Sequence, residues 1–144
     1  MGSKKYKIGY TCGVFDLLHV GHLNLLERCK SMCERLIIGV CDDAYVRDVK
    51  HKIPVVPAED RVRMLKALKV VDDAQLVSIQ ETNDKLLAQR RFGFDVLFSG
   101  DDWKGSERYL KTERDFAPLG VSIEYLPYTK GVSTSQLKER ISAK

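Results

Sequence analysis

The chain predicts an α/β fold, a doubly wound five-stranded parallel sheet with helices on both faces, in one domain spanning residues 1–144. Three observations predict it. Short β-prone apolar runs alternate with helical patterns from end to end, the order that builds parallel strands joined by crossover helices. At 144 residues the chain is long enough to bury one sizeable core. No internal repeat, low-complexity tract or linker divides it. In such sheets ligands bind beyond the carboxyl ends of the strands, where the strand order reverses.

The first predicted strand is Tyr6–Cys12, and helical periodicity runs over Gly21–Met32. Arg35–Cys41 is the second strand, and Asp42-Asp43 after it reads as the N-cap of a short helix. Pro54 and Pro57 mark a loop that ends in the acidic first turn Ala58-Glu59-Asp60 of a helix reaching Leu68. A strand at Gln75–Ser78 and a helix at Thr82–Arg91 follow, then a strand at Val96–Ser99 and a helix at Glu107–Ala117. The last pair is the strand Ser122–Leu126 and the helix Ser133–Ile141, the latter opening shortly after Gly131.

Composition excludes several classes. The formal charge of +4 is modest and its lysines and arginines are interspersed with acids, so no basic stripe for nucleic acid emerges. No apolar run approaches the roughly 20 residues of a membrane span, and the N-terminus lacks a signal peptide's apolar core. The expected location is cytoplasmic. The four cysteines read as reduced thiols: Cys12 and Cys41 in buried strands, Cys29 and Cys33 on a helix without the partners of a zinc set.

The segment Gly13-Val14-Phe15-Asp16-Leu17-Leu18-His19-Val20-Gly21-His22 carries the chemistry. It places two of the chain's three histidines, an aspartate and two glycines at a strand-to-helix turn. There the backbone N–H groups and the helix dipole favour a phosphate, and the imidazoles can stabilise charge as a phosphorus atom is attacked. Gly21 removes a side chain where a phosphate must approach the backbone. Ser133-Thr134 reads either as an ordinary N-cap or as a second anion site.

GVFDLLHVGH resembles the HxGH motif of the nucleotidyltransferase superfamily, in the cytidylyltransferase version G-[TIV]-F-D-x-x-H-x-G-H. Tyr128-Thr129-Lys130-Gly131-Val132-Ser133-Thr134-Ser135 is similar to the same family's RTxGxST[ST]. Gly100-Asp101-Asp102-Trp103 resembles the GDDW of glycerol-3-phosphate cytidylyltransferases. The similarity runs from about Tyr6 to Ile141.

The resemblance implies a Rossmann-like sheet and the condensation of CTP with an alcohol phosphate, glycerol 3-phosphate foremost, to a CDP-alcohol and pyrophosphate. It implies a homodimer serving cell-surface polymer or lipid head-group synthesis. Triphosphate chemistry, with no carboxylate cage in the sequence, adds the expectation of Mg²⁺ bound mainly through the triphosphate. His19, His22, Lys50 and Asp16 take catalytic places, Asp16 either orienting the turn or touching the metal shell. Nucleotide contacts fall on Val14, Phe15, Gly21, Lys52, Asp102, Thr129, Gly131, Val132, Ser133 and Thr134. Acceptor contacts fall on Lys50, Lys85, Trp103, Tyr128 and Arg61, with solvated helical surfaces as the plain alternative for Lys85 and Arg61. Two positions depart from the pattern. Tyr128 stands for the arginine of RTxGxST, and Val14 for the threonine common in the glycerol-3-phosphate branch. Two other readings stay open: an adenylyltransferase of the FAD synthase type, which shares HxGH, and a nucleotide-binding regulatory module.

Overall fold

The computed structural model describes residues 4–128 and 133–142. Five parallel strands, β1 Tyr6–Gly13, β2 Cys33–Cys41, β3 Asp73–Val77, β4 Val96–Gly100 and β5 Ser122–Leu126, form one sheet in the order β3-β2-β1-β4-β5. The helices are α1 Val20–Met32, α2 Asp43–Asp48, α3 Ala58–Lys66, α4 Ile79–Asn83, α5 Lys85–Phe92, α6 Glu107–Phe116 and α7 Thr134–Ser142. After β3 the chain crosses back to the far side of β1, so the order reverses between β1 and β4.

Alternate strand residues feed two cores, as a sheet covered on both faces requires. Leu36, Ile38, Val40, Val96 and Phe98 pack on one side with Leu26 and Cys29 of α1 and Leu65 of α3. Tyr10, Ile37 and Leu97 pack on the other with Ala88 of α5 and Tyr109 and Phe116 of α6. Gly39 leaves the space that the Tyr10 ring occupies: a Cβ there would collide with the Tyr10 hydroxyl.

Several element boundaries differ by one or two residues from those predicted, β3 starting at Asp73 and not Gln75 among them. Two differences have a plain local cause. The segment expected as one helix over Thr82–Arg91 is two, because Asp84 closes α4 and caps α5, its carboxylate accepting the Leu86 N–H at 3.0 Å. Cys33, expected on a helix with Cys29, opens β2 instead, two residues before the strand start read from the sequence.

Candidate active site

α1 begins on an unusual cap. His19 is the extended N-cap residue, and its Nδ1 accepts the Gly21 N–H at 3.0 Å. In return His22 Nδ1 accepts the His19 N–H at 3.2 Å, so two imidazoles close the reciprocal box usually made by a hydroxyl and a carboxylate. The rings stack with centroids 3.9 Å apart. Burial pushes the His22 imidazole down to about 4, with His19 adding to the effect and Asp16 opposing it. Burial lowers His19 as well. Both rings are therefore neutral near pH 7, and with each Nδ1 accepting, the single proton of each sits on Nε2.

The turn before the cap holds Phe15 at φ 55° and Leu17 at φ 51°, left-handed conformations that side chains seldom adopt. Neighbouring elements hold it there. Asp16 is buried, and its two carboxylate oxygens accept the Val55 and Val56 N–H groups at 2.8 and 2.9 Å. Its backbone carbonyl accepts the Thr134 hydroxyl at 2.8 Å, which ties α7 to the turn. Burial works against ionisation of Asp16, but the two N–H groups and Lys138, 3.6 Å away, outweigh it and hold the carboxyl below its usual range. Asp16 thus fastens the loop that follows α2, and that loop carries Lys50 and Lys52 on its exposed surface.

Three adjoining lobes lie over the carboxyl end of β1. One, about 240 Å³, is lined by Val14, Phe15, Asp16, His22, Lys50, Lys52, Thr134 and Lys138 among others. A second, about 210 Å³, is bounded by His19, Gly21, His22, Tyr128, Ser133 and Thr134, and shares His22 and Thr134 with the first. The third, about 90 Å³, shares Val14 and Lys50 with the first and reaches Cys12, Cys41, Thr82, Lys85, Trp103, Arg108 and Tyr109. The structure thereby brings His19, His22, Val14, Phe15, Gly21, Lys50, Lys52, Ser133, Thr134, Lys85 and Trp103 around one cleft. Ser133 caps α7 through its Oγ, which accepts the Gln136 N–H at 3.1 Å. Trp103 lies against Tyr109, ring centroids 5.5 Å apart.

Several expected residues stand elsewhere. Arg61, expected at the acceptor, is 1 % exposed and spends its donors inside the protein. Its Nε and Nη1 bond the carbonyls of Val56, Val14 and Cys41, and its Nη2 meets Asp43 Oδ1 at 2.6 Å. It clamps the ends of β1 and β2 to α2 and the lysine loop with four of its five N–H groups and lines none of the three lobes. Tyr128, also expected at the acceptor, lines the lobe of His19 rather than that of Lys85 and Trp103. Asp102, expected at the nucleotide, lines none of the three lobes; it stands beside the Tyr128 phenol, which burial and Asp102 raise to about 12. Gly100 permits that contact, since a Cβ there would collide with the Tyr128 hydroxyl. Thr129, Gly131 and Val132 lie outside the described residues.

Sequence reasoning missed Lys138 and Arg108. Lys138 is four residues beyond Thr134 on α7, so helical spacing alone sets it on the same face. For Arg108 the sequence holds no comparable signal. Among the described residues, no group of three His, Cys, Asp or Glu side chains could hold a metal ion.

A parallel sheet with a histidine-capped helix at its switch point, facing lysine-lined lobes, defines a nucleotidyltransferase-like α/β enzyme. The chain belongs to the cytidylyltransferase-like family, whose model matches residues 10–140. It is 36 % identical over 132 residues to an FAD synthase of Thermococcus onnurineus (strain NA1), covering 90 % of this chain and 87 % of that one. It is 34 % identical over 134 residues to a glycerol-3-phosphate cytidylyltransferase of Bacillus subtilis (strain 168), covering 92 % and 95 %. Among solved structures, the lipopolysaccharide core biosynthesis protein from Thermoplasma volcanium GSS1 superposes with a TM-score of 0.69 at 28 % identity, over 88 % of this chain and 99 % of that one.

Proposed function

We propose that the protein condenses CTP with a small alcohol phosphate, giving a CDP-alcohol and pyrophosphate. An oxygen of the acceptor phosphate attacks the α-phosphorus in line. The new O–P bond forms as the bond to the β-phosphate oxygen breaks, and pyrophosphate leaves with the electron pair. The attacking oxygen is already anionic, so no general base is required, and neutral histidines suit the step as donors rather than as acids. The reciprocal imidazole cap carries the proposal: both Nδ1 atoms are occupied by backbone N–H groups, which leaves each Nε2–H free to donate to an α-phosphate oxygen. Such bonds strengthen as charge develops.

Lys50, Lys52 and Lys138 supply positive charge along the wall shared with His22. Mg²⁺ would ride on the triphosphate oxygens and water, because Asp16, the carboxylate lining that lobe, is engaged by Val55 and Val56. The third lobe is the acceptor's. Its lining by Lys50, Lys85 and Arg108, open toward the lobe of His22, suits a phosphorylated acceptor. Glycerol 3-phosphate is the acceptor the GDDW segment favours, and cytosine rests on the same resemblance.

A second reading, ATP with FMN as acceptor, draws on the likeness to the FAD synthase relative. Pyrophosphate release measured with CTP and ATP against glycerol 3-phosphate, other alcohol phosphates and FMN separates the two. Release with CTP and an alcohol phosphate supports the proposal, and release with ATP and FMN alone replaces it. Tight nucleotide binding without release from any pair points to a regulatory module. Light scattering on the purified chain tests the homodimer.

A further inference from the structure

The acceptor lobe holds more positive charge than one phosphate needs. Lys50, Lys85 and Arg108 line it, and no Asp or Glu does. Lys85 is 7 % exposed, and its ammonium donates to the Thr82 carbonyl. Neither Lys85 nor Arg108 forms an ion pair with a carboxylate among the described residues. The acidic neighbour of Lys85 in the lobe is the Cys12 thiol, which Cys41 and Lys85 hold below its ordinary value. No carboxylate therefore balances the buried ammonium, and an acidic ligand would supply one.

Arg108 is held rather than loose. Its guanidinium lies 5.6 Å from the Trp103 ring centre, and Nη2 donates to Asn83 Oδ1 at 2.8 Å. Lys50 sits where this lobe joins the histidine lobe, the place an attacking phosphate must occupy. That leaves Lys85 and Arg108 at the other end of the acceptor, three cations facing a dianion.

We infer that Arg108, with Lys85, receives a carboxylate on the acceptor, so that the preferred acceptor class is a phosphorylated hydroxy acid rather than a neutral polyol phosphate. The planar fork of an arginine matches a carboxylate, whose single charge balances what a phosphate dianion leaves of the three cations. The inference rests on the nucleotidyltransferase reading of the cleft and, within it, sets an acidic acceptor in place of the glycerol 3-phosphate that the GDDW resemblance favours. It makes Arg108 a specificity-determining residue outside the HxGH, GDDW and Ser-Thr segments.

Titration calorimetry on the full chain with glycerol 3-phosphate and 3-phosphoglycerate tests it, since the two differ at one carbon, hydroxymethyl against carboxylate. The expected result is a Kd at least about tenfold lower for 3-phosphoglycerate. Arg108→Gln should shrink that ratio to within about threefold, and Arg108→Lys should restore part of it. Equal affinities in the wild type, or a preference that survives Arg108→Gln, would overturn the inference. Pyrophosphate release with CTP, followed in the same samples, reports separately: its absence with both acceptors sinks nucleotidyl transfer, while the binding ratio still decides the acceptor class.

Discussion

Each histidine of the α1 cap does two jobs with two nitrogens. Nδ1 satisfies a backbone N–H that would otherwise be orphaned at the helix start, and this leaves Nε2–H as the donor. The cap and the proposed catalytic role can therefore be separated by substitution. His19→Ala should lower kcat about 10²- to 10³-fold and stability by about 1 kcal/mol, the usual costs of a lost oxyanion donor and a lost cap. His19→Asn keeps a cap acceptor but moves the donor, so a thermal melt should recover while steady-state turnover does not. Recovered turnover would show the ring to be merely structural. The low value of His22, about 4, also fixes a pH dependence. Between about 4 and the ordinary value of 6.5 the unfolded chain binds a proton at this position that the folded chain does not. Stability from this residue is complete above 6.5 and falls as the pH drops toward 4. Melts from pH 7.5 to 4 should show that loss, and His22→Asn should flatten this part of the curve.

At the scale of elements, the loop after α2 positions charge without any secondary structure of its own. Asp16 and Arg61 hold it from below, one through two backbone N–H groups and the other through the Val56 carbonyl. Asp16→Ala leaves both N–H groups unpaired, at about 1–3 kcal/mol each where they stay dry. Tryptic cleavage at Lys50 and Lys52 should accelerate and KM for the nucleotide should rise more than kcat falls. An unchanged cleavage rate would show that the loop is fastened otherwise. Arg61→Met strands Asp43 and three carbonyls, and chemical denaturation should register a loss of about 3–5 kcal/mol. These roles also mark how far the sequence could be read. The histidine turn and the Ser-Thr turn were visible because each is local: residue types at fixed spacing on one turn. Arg61 was not. In an acidic first helical turn it looks like any solvated arginine, and only the convergence of β1, β2 and α2 upon it shows that it is enclosed. The break at Asp84 was hidden for the same reason, since an aspartate within helical periodicity is as compatible with a continuous surface as with a cap.

On the scale of the molecule, the site exists because the chain crosses from β3 to β4 over β1. That crossing sets Thr82 and Lys85 beside Trp103 and Arg108 at the end of β1, residues far from the histidine turn in sequence. Alternating strands and helices made the parallel sheet legible, but not which residues face each other across the switch point, because that depends on strand order and on loop shape together. The same convergence makes the cleft a joint between elements rather than a feature of one. α1 supplies the histidines, α7 supplies Thr134 and Lys138, and the α2 loop supplies Lys50 and Lys52. A nucleotide seated there bridges elements that separate on unfolding, so its binding energy appears as global stability. At a concentration 100 times its Kd, CTP should add about 2.7 kcal/mol, which for a chain of this size raises Tm by roughly 10 °C. Differential scanning calorimetry with CTP and ATP at matched concentrations reads this directly. A larger rise with CTP supports cytosine selection, whereas an equal or larger rise with ATP turns the reading toward adenylyl transfer. Asp16→Ala should reduce the CTP-induced rise along with the starting Tm, because the lysine loop it fastens is one of the elements the triphosphate would join.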